Sequence, residues 1–224
     1  MPAPGCRYGG PVDPTPVVII GSGGHAKVVI DILEAMGGYR IVGLASDDSD
    51  PARVVAGQRI ISDLAALETL TDRAKHFAMG IGGWTDNNDR RRAFEMAVGI
   101  GLEPVTVVHP TAHISPYAHI GAGCAVLPHV VVNTEARLGI DTIVATSSAV
   151  GHESTVGDHA LISVGVTVGG HVTIGDGAVL GMGCTIISRV RVGANALVAA
   201  GAVVTDDVPD GAKVYGVPAR PREP

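Results

Sequence analysis

The sequence predicts a small α/β domain followed by a parallel β-helix of hexapeptide repeats. Seventeen aliphatic residues fall six apart without a miss, from Val108, Ile114 and Ile120 through to Val192, Val198 and Val204. A helix repeats its apolar face every three or four residues and a strand every two. A period of six therefore points to a coil whose every sixth residue faces a common axis. Four residues after these positions the side chain is usually small, as at Ala112, Cys124, Ala136, Ser148, Ala160 and Cys184. A glycine often follows them directly, as at Gly121, Gly139, Gly151, Gly169 and Gly193, and is expected to let the chain turn the corners of the coil without a Cβ clash. Before residue 107, apolar runs alternate with helical patterns, which implies a small parallel sheet.

In chain order, residues 1–16 are rich in Pro and Gly, lack the apolar block of a signal peptide, and read as a flexible leader. Residues 17–20 form a short apolar strand that ends in the turn Gly21-Ser22-Gly23-Gly24. Helical spacing follows through Val28, Val29, Ile32, Leu33 and Met36 and stops at Gly37-Gly38. Residues 41–45 read as the second strand, closed by Ser46-Asp47-Asp48, and residues 64–70 read as helical. Residues 76–81 are the third strand and 89–98 a further helix. This Rossmann-like domain, residues 17–106, is about half of a doubly wound domain, which takes two βαβαβ halves. Residues 105–109 lead into the β-helix, residues 107–205, and residues 206–224 form a C-terminal tail.

Six residues make one face and three faces one coil, which gives about five coils between Val108 and Val204. Residues 18 apart then stack on neighbouring coils about 4.8 Å apart. Thr134, His152 and Gly170 form one such column, and Glu135, Glu153 and His171 the next. No insertion breaks the register, so no long loop leaves the coils. A site on them must use the wall of the prism, with its other wall supplied by a neighbouring subunit. The exposed edge and a flat aliphatic face favour self-association.

Only 3% of the residues are aromatic against 46% hydrophobic, so the core falls to Val, Ile, Leu and Ala, as a narrow solenoid requires. The net charge of −6 and the lack of a basic run argue against a nucleic-acid partner. No apolar stretch is long enough for membrane insertion. Cys124 and Cys184 share the small slot of the repeat and read as packed thiols, with neither disulfide nor metal ligation expected. A reducing cytoplasm is the simplest compartment for such a chain.

Two groups of residues carry possible chemistry. The turn GSGGHA fits G-x-G-x-x-[GA] between a strand and a helix, where backbone N–H groups approach a phosphate. Its alternative is a tight strand-to-helix turn. The acidic turn after the second strand favours a nucleotide, and the short domain favours one nucleotide over NAD. Seven of nine histidines lie in or beside the coils, yet counting by 18 stacks no two of them. No metal site within one subunit is expected, one shared between subunits stays open, and most of these histidines are expected on the solvated wall. His152 is set apart by Glu153 beside it and Gly170 one coil away. An imidazole with a nearby carboxylate is a general base near neutral pH, and an unobstructed Gly170 N–H is a candidate oxyanion donor. The alternative is one more exposed histidine beside an acid.

The Gly turn, the strand ending in acids, the crossover into hexapeptides, the central His152-Glu153 pair and the terminal Gly216-Val217-Pro218-Ala219-Arg220 together resemble the sugar O/N-acyltransferases. This is the group of sialic-acid O-acetyltransferases and bacterial amino-sugar N-acetyltransferases, and the resemblance covers about residues 17–220. It implies a left-handed β-helix assembled as a homotrimer, with acetyl-CoA held between adjacent β-helices; no metal is expected. It implies His152 as base with Glu153 supporting it, and Gly170 near the thioester. Gly216, Pro218 and Arg220 would lie near the coenzyme. Gly23, Gly24, His25, Ser46, Asp47 and Gly82 would line the site of a nucleotide-linked amino sugar. Ser46 stands where relatives often carry the first of two acids, and the turn after Gly82 is longer than usual. Leu161 stands on the acetyl-CoA side where many relatives carry a second histidine.

The expected function is acetyl-CoA-dependent N-acetylation of a nucleotide-linked amino sugar, a 4-amino-dideoxy hexose, by direct transfer. Sialic-acid-type O-acetylation, a β-helical zinc lyase and a nucleotide-sensing protein are the alternatives.

Overall fold

The computed structural model describes residues 13–221 apart from 49 and 51; most of the expected leader, with Cys6, lies outside the described residues. The α/β domain comprises β1 (Thr15–Ile20), α1 (Gly24–Met36), β2 (Tyr39–Ala45), β3 (Val54–Val55), β4 (Gln58–Ser62), β5 (His76–Met79), α2 (Asn88–Gly99) and β6 (Glu103–Pro104). Its sheet runs β3-β4-β2-β1-β5-β6 and is parallel apart from the β3–β4 hairpin. Helix α1 buries Ala26, Val29, Ile30, Ile32 and Leu33 and ends at Gly37, whose N–H donates to the Leu33 carbonyl.

Two local expectations need correction. Residues 64–70 hold only a 3₁₀ turn, Leu67–Leu70. A stretch this short cannot sustain an α-helix by itself. Thr69 and Thr71 also donate their hydroxyls to the Ala66 and Glu68 carbonyls three residues back, which tightens the turn. The β3–β4 hairpin was not expected; its two-residue turn places Ala56 and Gly57 at φ +45° and +79°, the primed-turn geometry that suits strand twist.

From Val107–Val108 to Val203–Val204 the chain forms two-residue strands six apart, wound into a left-handed parallel β-helix. Neighbours 18 apart pair in parallel, as in Ala125↔Ile143, Ile143↔Leu161 and Leu161↔Val179. The inward residues from Val126 to Val204 are buried, with the small residues Cys124, Ala136, Ala160, Ala178, Cys184, Ala196 and Ala202 between them. Val108, Ile114 and Ile120, at the open end, are only partly covered. Lys213–Tyr215 adds a rung beside Leu197, and Arg220–Pro221 folds back on it antiparallel.

The corner glycines avoid a Cβ clash as expected, but without a left-handed backbone. The left-handed backbone lies three residues after the inward one, where Asp141, Glu153, His159, His171 and Asn195 have φ between 50° and 56°. The glycine directly after the inward residue is not left-handed. It clears the next coil: a Cβ on Gly121 would stand 2.5 Å from the Gly139 carbonyl oxygen.

The residue before each inward one points outward. On one face these are Val107, Ala125, Ile143, Leu161 and Val179, buried in one cluster with Val29 and Leu33 of α1. The opposite pattern, His119, Arg137, Thr155, Thr173 and Arg191, marks a polar face. An apolar outward residue on every third strand is therefore what docks the two domains. The seam is also pinned by Arg90 of α2, wholly buried, whose Nε donates to Asp141 (3.1 Å) and Nη2 to the His159 carbonyl (2.6 Å). His159 Nδ1 meets the same Asp141 oxygen at 2.9 Å. Burial pulls the Arg90 guanidinium below its ordinary value, and the Asp141 charge opposes that.

Candidate active site

The corner column Glu135, Glu153, His171 and Arg189 follows from 18-residue stacking, and backbone bonds between residues 19 apart tie it to the next column: Glu153 N–H to the Thr134 carbonyl and His171 N–H to the His152 carbonyl. His152 is 53% exposed, and its Nδ1 lies 2.9 Å from Glu153 Oε2. That bond fixes the tautomer: Nδ1–H donates to the carboxylate, and Nε2 keeps its lone pair. Gly170 covers the ring so closely that a Cβ there would stand 2.5 Å from Nε2. The Gly170 N–H, expected as an oxyanion donor, already donates to Ser188 Oγ at 3.2 Å. What Gly170 supplies is room beside the imidazole.

His171 is the residue that counting missed. It lies 19 residues after His152, so it stacks on Glu153 and touches His152 diagonally. Its Nε2 is 3.3 Å from Glu153 Oε2, and the two rings meet edge-on at 5.1 Å. Ligand atoms of His152, Glu153 and His171 all lie within 4.8 Å of one another, so one subunit does bring together a donor set able to hold a metal ion. His159 corrects the expectation of a solvated wall in another way, being buried in the domain seam.

The second cluster is a cleft of about 690 Å³ at the carboxyl ends of β1, β2 and β5. Gly21–Gly24, His25, Ser46, Asp47, Asp48, Gly82, Gly83 and Trp84 are among the residues that line it. A Cβ on Gly23 or Gly24 would meet nothing within 4 Å, so both backbones open on the cleft. Ser22 Oγ meets Ser46 Oγ at 2.9 Å and donates to Asp48 Oδ2 at 2.8 Å, and Arg53 pairs with Asp48 at 2.7 Å. Asp48, expected only as part of the acidic turn, is thus the acid tied to the Gly turn. The Asp50 N–H, then the Ser22 hydroxyl and Arg53, hold its carboxyl below the usual range. Asp47 caps the following turn by accepting the Leu64 N–H at 2.9 Å. His25 is half-buried, with its Nε2 atom buried and unpartnered; desolvation, then the Arg90 charge, lowers its pKa from 6.5 to about 4 and keeps it neutral.

Residues 16–97 match the PglD N-terminal domain family, and residues 171–206 match the bacterial transferase hexapeptide (six repeats) family. A histidine-to-asparagine variant of perosamine N-acetyltransferase from Caulobacter crescentus, crystallised with CoA and GDP-perosamine, is 34% identical with a TM-score of 0.87, over 93% of this chain and 97% of that one. The chain belongs to the hexapeptide-repeat sugar acetyltransferases. The acetyltransferase domain of PglB from Neisseria gonorrhoeae, in complex with acetyl coenzyme A, is 31% identical with a TM-score of 0.86, over 93% of this chain and all of that one. The UDP-N-acetylbacillosamine N-acetyltransferase of Bacillus subtilis is 28% identical over half of each chain, so the match spans about half the length of this curated relative.

In this member of the sugar acetyltransferases, Leu161 is only 7% exposed and lies in the domain seam, where a Cβ on Gly83 would come 3.1 Å from its Cδ2. That is a different face of the prism from His152. Arg220 pairs with Asp206 at 2.9 Å, Gly216 has φ +88°, and Pro218 follows a cis peptide in the folded-back tail. Burial pushes the Cys124 and Cys184 thiols up to about 12. No helix among the described residues is long and apolar enough to cross a membrane.

Proposed function

We propose that the protein transfers the acetyl group of acetyl-CoA to the amine of a nucleotide-linked 4-amino-dideoxy hexose, with His152 as general base. The observation that carries this reading is the His152 Nδ1–Glu153 Oε2 bond of 2.9 Å, which leaves Nε2 free to accept a proton. Relatives crystallised with CoA and GDP-perosamine, or with acetyl coenzyme A, support the two substrates.

Only a neutral amine is nucleophilic. As its nitrogen bonds to the thioester carbon, His152 Nε2 takes the amine proton, a step worth about 10²–10⁴ in rate. The imidazolium that forms is stabilised by the Glu153 carboxylate, whose oxygen His171 also contacts. The tetrahedral intermediate collapses, the C–S bond breaks, and the CoA thiolate leaves and is reprotonated. No acyl-enzyme is required, because Cys124 and Cys184 are buried and strongly disfavoured as thiolates.

The nucleotide's diphosphate sits at the start of α1, where Gly23 and Gly24 expose their backbones. Ser46, Asp47, His25 and Gly82 line the same cleft. Acetyl-CoA approaches beside Gly170, and the Gly216, Pro218 and Arg220 tail lies along it. A homotrimer supplies the second wall of this site, and the enzyme works in the cytoplasm.

The test is thiol release from acetyl-CoA against a panel of UDP-, GDP- and dTDP-linked amino sugars. At least one should turn over, with the N-acetyl product confirmed by mass, and His152→Ala should lose orders of magnitude in kcat with KM largely kept. Near-normal turnover by that variant would remove His152 as the base.

A further inference from the structure

We infer that Trp84 is the platform on which the sugar ring of the substrate stacks, and that it sets which sugars are accepted. This inference rests on the substrate class proposed above. Trp84 is the only tryptophan of the chain and is 80% exposed. A large aromatic left open at the rim of a cleft calls for a partner more than a scattered surface aliphatic does. It lines the 690 Å³ cleft together with the Gly turn and Ser46–Asp48.

Strand order decides which part of the ligand reaches it. β1 lies between β2 and β5, so the Gly turn after β1 is flanked by Ser46–Asp48 on one side and by the turn through Gly82, Gly83 and Trp84 on the other. A nucleotide bound with its diphosphate at the Gly turn places its ribose toward the acids that follow the second strand. The other end of the diphosphate, which carries the sugar, must then leave toward the β5 side. Trp84 stands there.

The turn that carries Trp84 is anchored while its indole is not. Gly83 packs against Leu161 of the β-helix, and Asn87 Nδ2 donates to the Gly177 carbonyl at 3.3 Å. Leu161 and His152 lie on different faces of the prism, so the sugar end that leaves past Trp84 meets a His152 supplied by a neighbouring subunit of the proposed homotrimer. The C–H face of a deoxy hexose is apolar and fits an indole face, while its amine and hydroxyls stay at the ring edge.

The sole tryptophan makes this testable by emission as well as by turnover. With the best acceptor of the panel, wild-type emission should shift to the blue and resist acrylamide quenching, whereas the parent nucleoside diphosphate should leave both nearly unchanged. Trp84→Ala should raise KM for the nucleotide sugar about tenfold or more, with inhibition by the nucleoside diphosphate and KM for acetyl-CoA unchanged. Protection by the nucleoside diphosphate alone, or equal weakening of both ligands in the variant, would assign Trp84 to the base and overturn the inference. A variant indistinguishable from wild type would overturn it as well, with acetyl transfer still standing. A wild-type protein that binds no nucleotide sugar would overturn both.

Discussion

Gly170 lies against the His152 ring so closely that a Cβ at that position would stand 2.5 Å from Nε2 and 2.7 Å from Cε1. The backbone there is not left-handed, so alanine brings no conformational strain of its own. Gly170→Ala is therefore expected to push the imidazole off its Glu153 bond while leaving the fold intact. Turnover should fall about 10- to 100-fold, roughly 1.4–2.7 kcal/mol of barrier. Unchanged melting beside lowered kcat checks it; unchanged kcat would show that the ring tolerates displacement.

The β-helix was legible because one period of six encodes both its core and its stacking, and the pairing of residues 18 apart needs no further information. Counting in columns nevertheless treats each column as separate. The diagonal from His152 to His171 crosses two columns, so it emerges only once the corner geometry turns both side chains outward. The seam was less legible for another reason. Asp141 and His159 are 18 apart and meet through Asp141 Oδ2, but Arg90 reaches the same oxygen from α2, 51 residues before Asp141. The apolar outward residues at Ile143, Leu161 and Val179 were a usable signal for where α1 docks.

Arg90 and Asp141 form a wholly buried pair between the domains, at 3.1 Å. Removing one member leaves the other charge uncompensated, which typically costs about 3–5 kcal/mol. Arg90→Met should accordingly lower stability by that order in urea unfolding. The double variant Arg90→Met/Asp141→Asn should recover part of the loss, since it deletes both charges. A double variant no more stable than the single one would show that the carbonyl bonds of Arg90, not the pairing, hold the seam.

His25 makes stability depend on pH. Its folded pKa of about 4 lies below the ordinary 6.5, so between these values the unfolded chain binds a proton that the folded chain refuses. Stability is fully present above pH 6.5 and declines as pH falls toward 4, by on the order of 3 kcal/mol from this residue. His25→Asn should flatten this part of the profile in denaturant titrations from pH 7.5 to 4. An equally steep profile in the variant would place the dependence on other groups.

Divalent zinc should inhibit this enzyme and not activate it. His152, Glu153 and His171 offer two imidazoles and a carboxylate within 4.8 Å, a donor set zinc accepts. Coordination requires the lone pairs and the carboxylate oxygen that the proposed proton transfer uses, so a bound ion would remove the proposed base. Chelator-treated protein should keep full thiol release, and added zinc should suppress it reversibly. His171→Ala, which removes one of the three ligands, should demand more zinc for the same suppression. Activity that vanishes on chelation and returns with zinc would mean that the His-Glu-His corner works as a metal centre and that His152 is a ligand instead of a base.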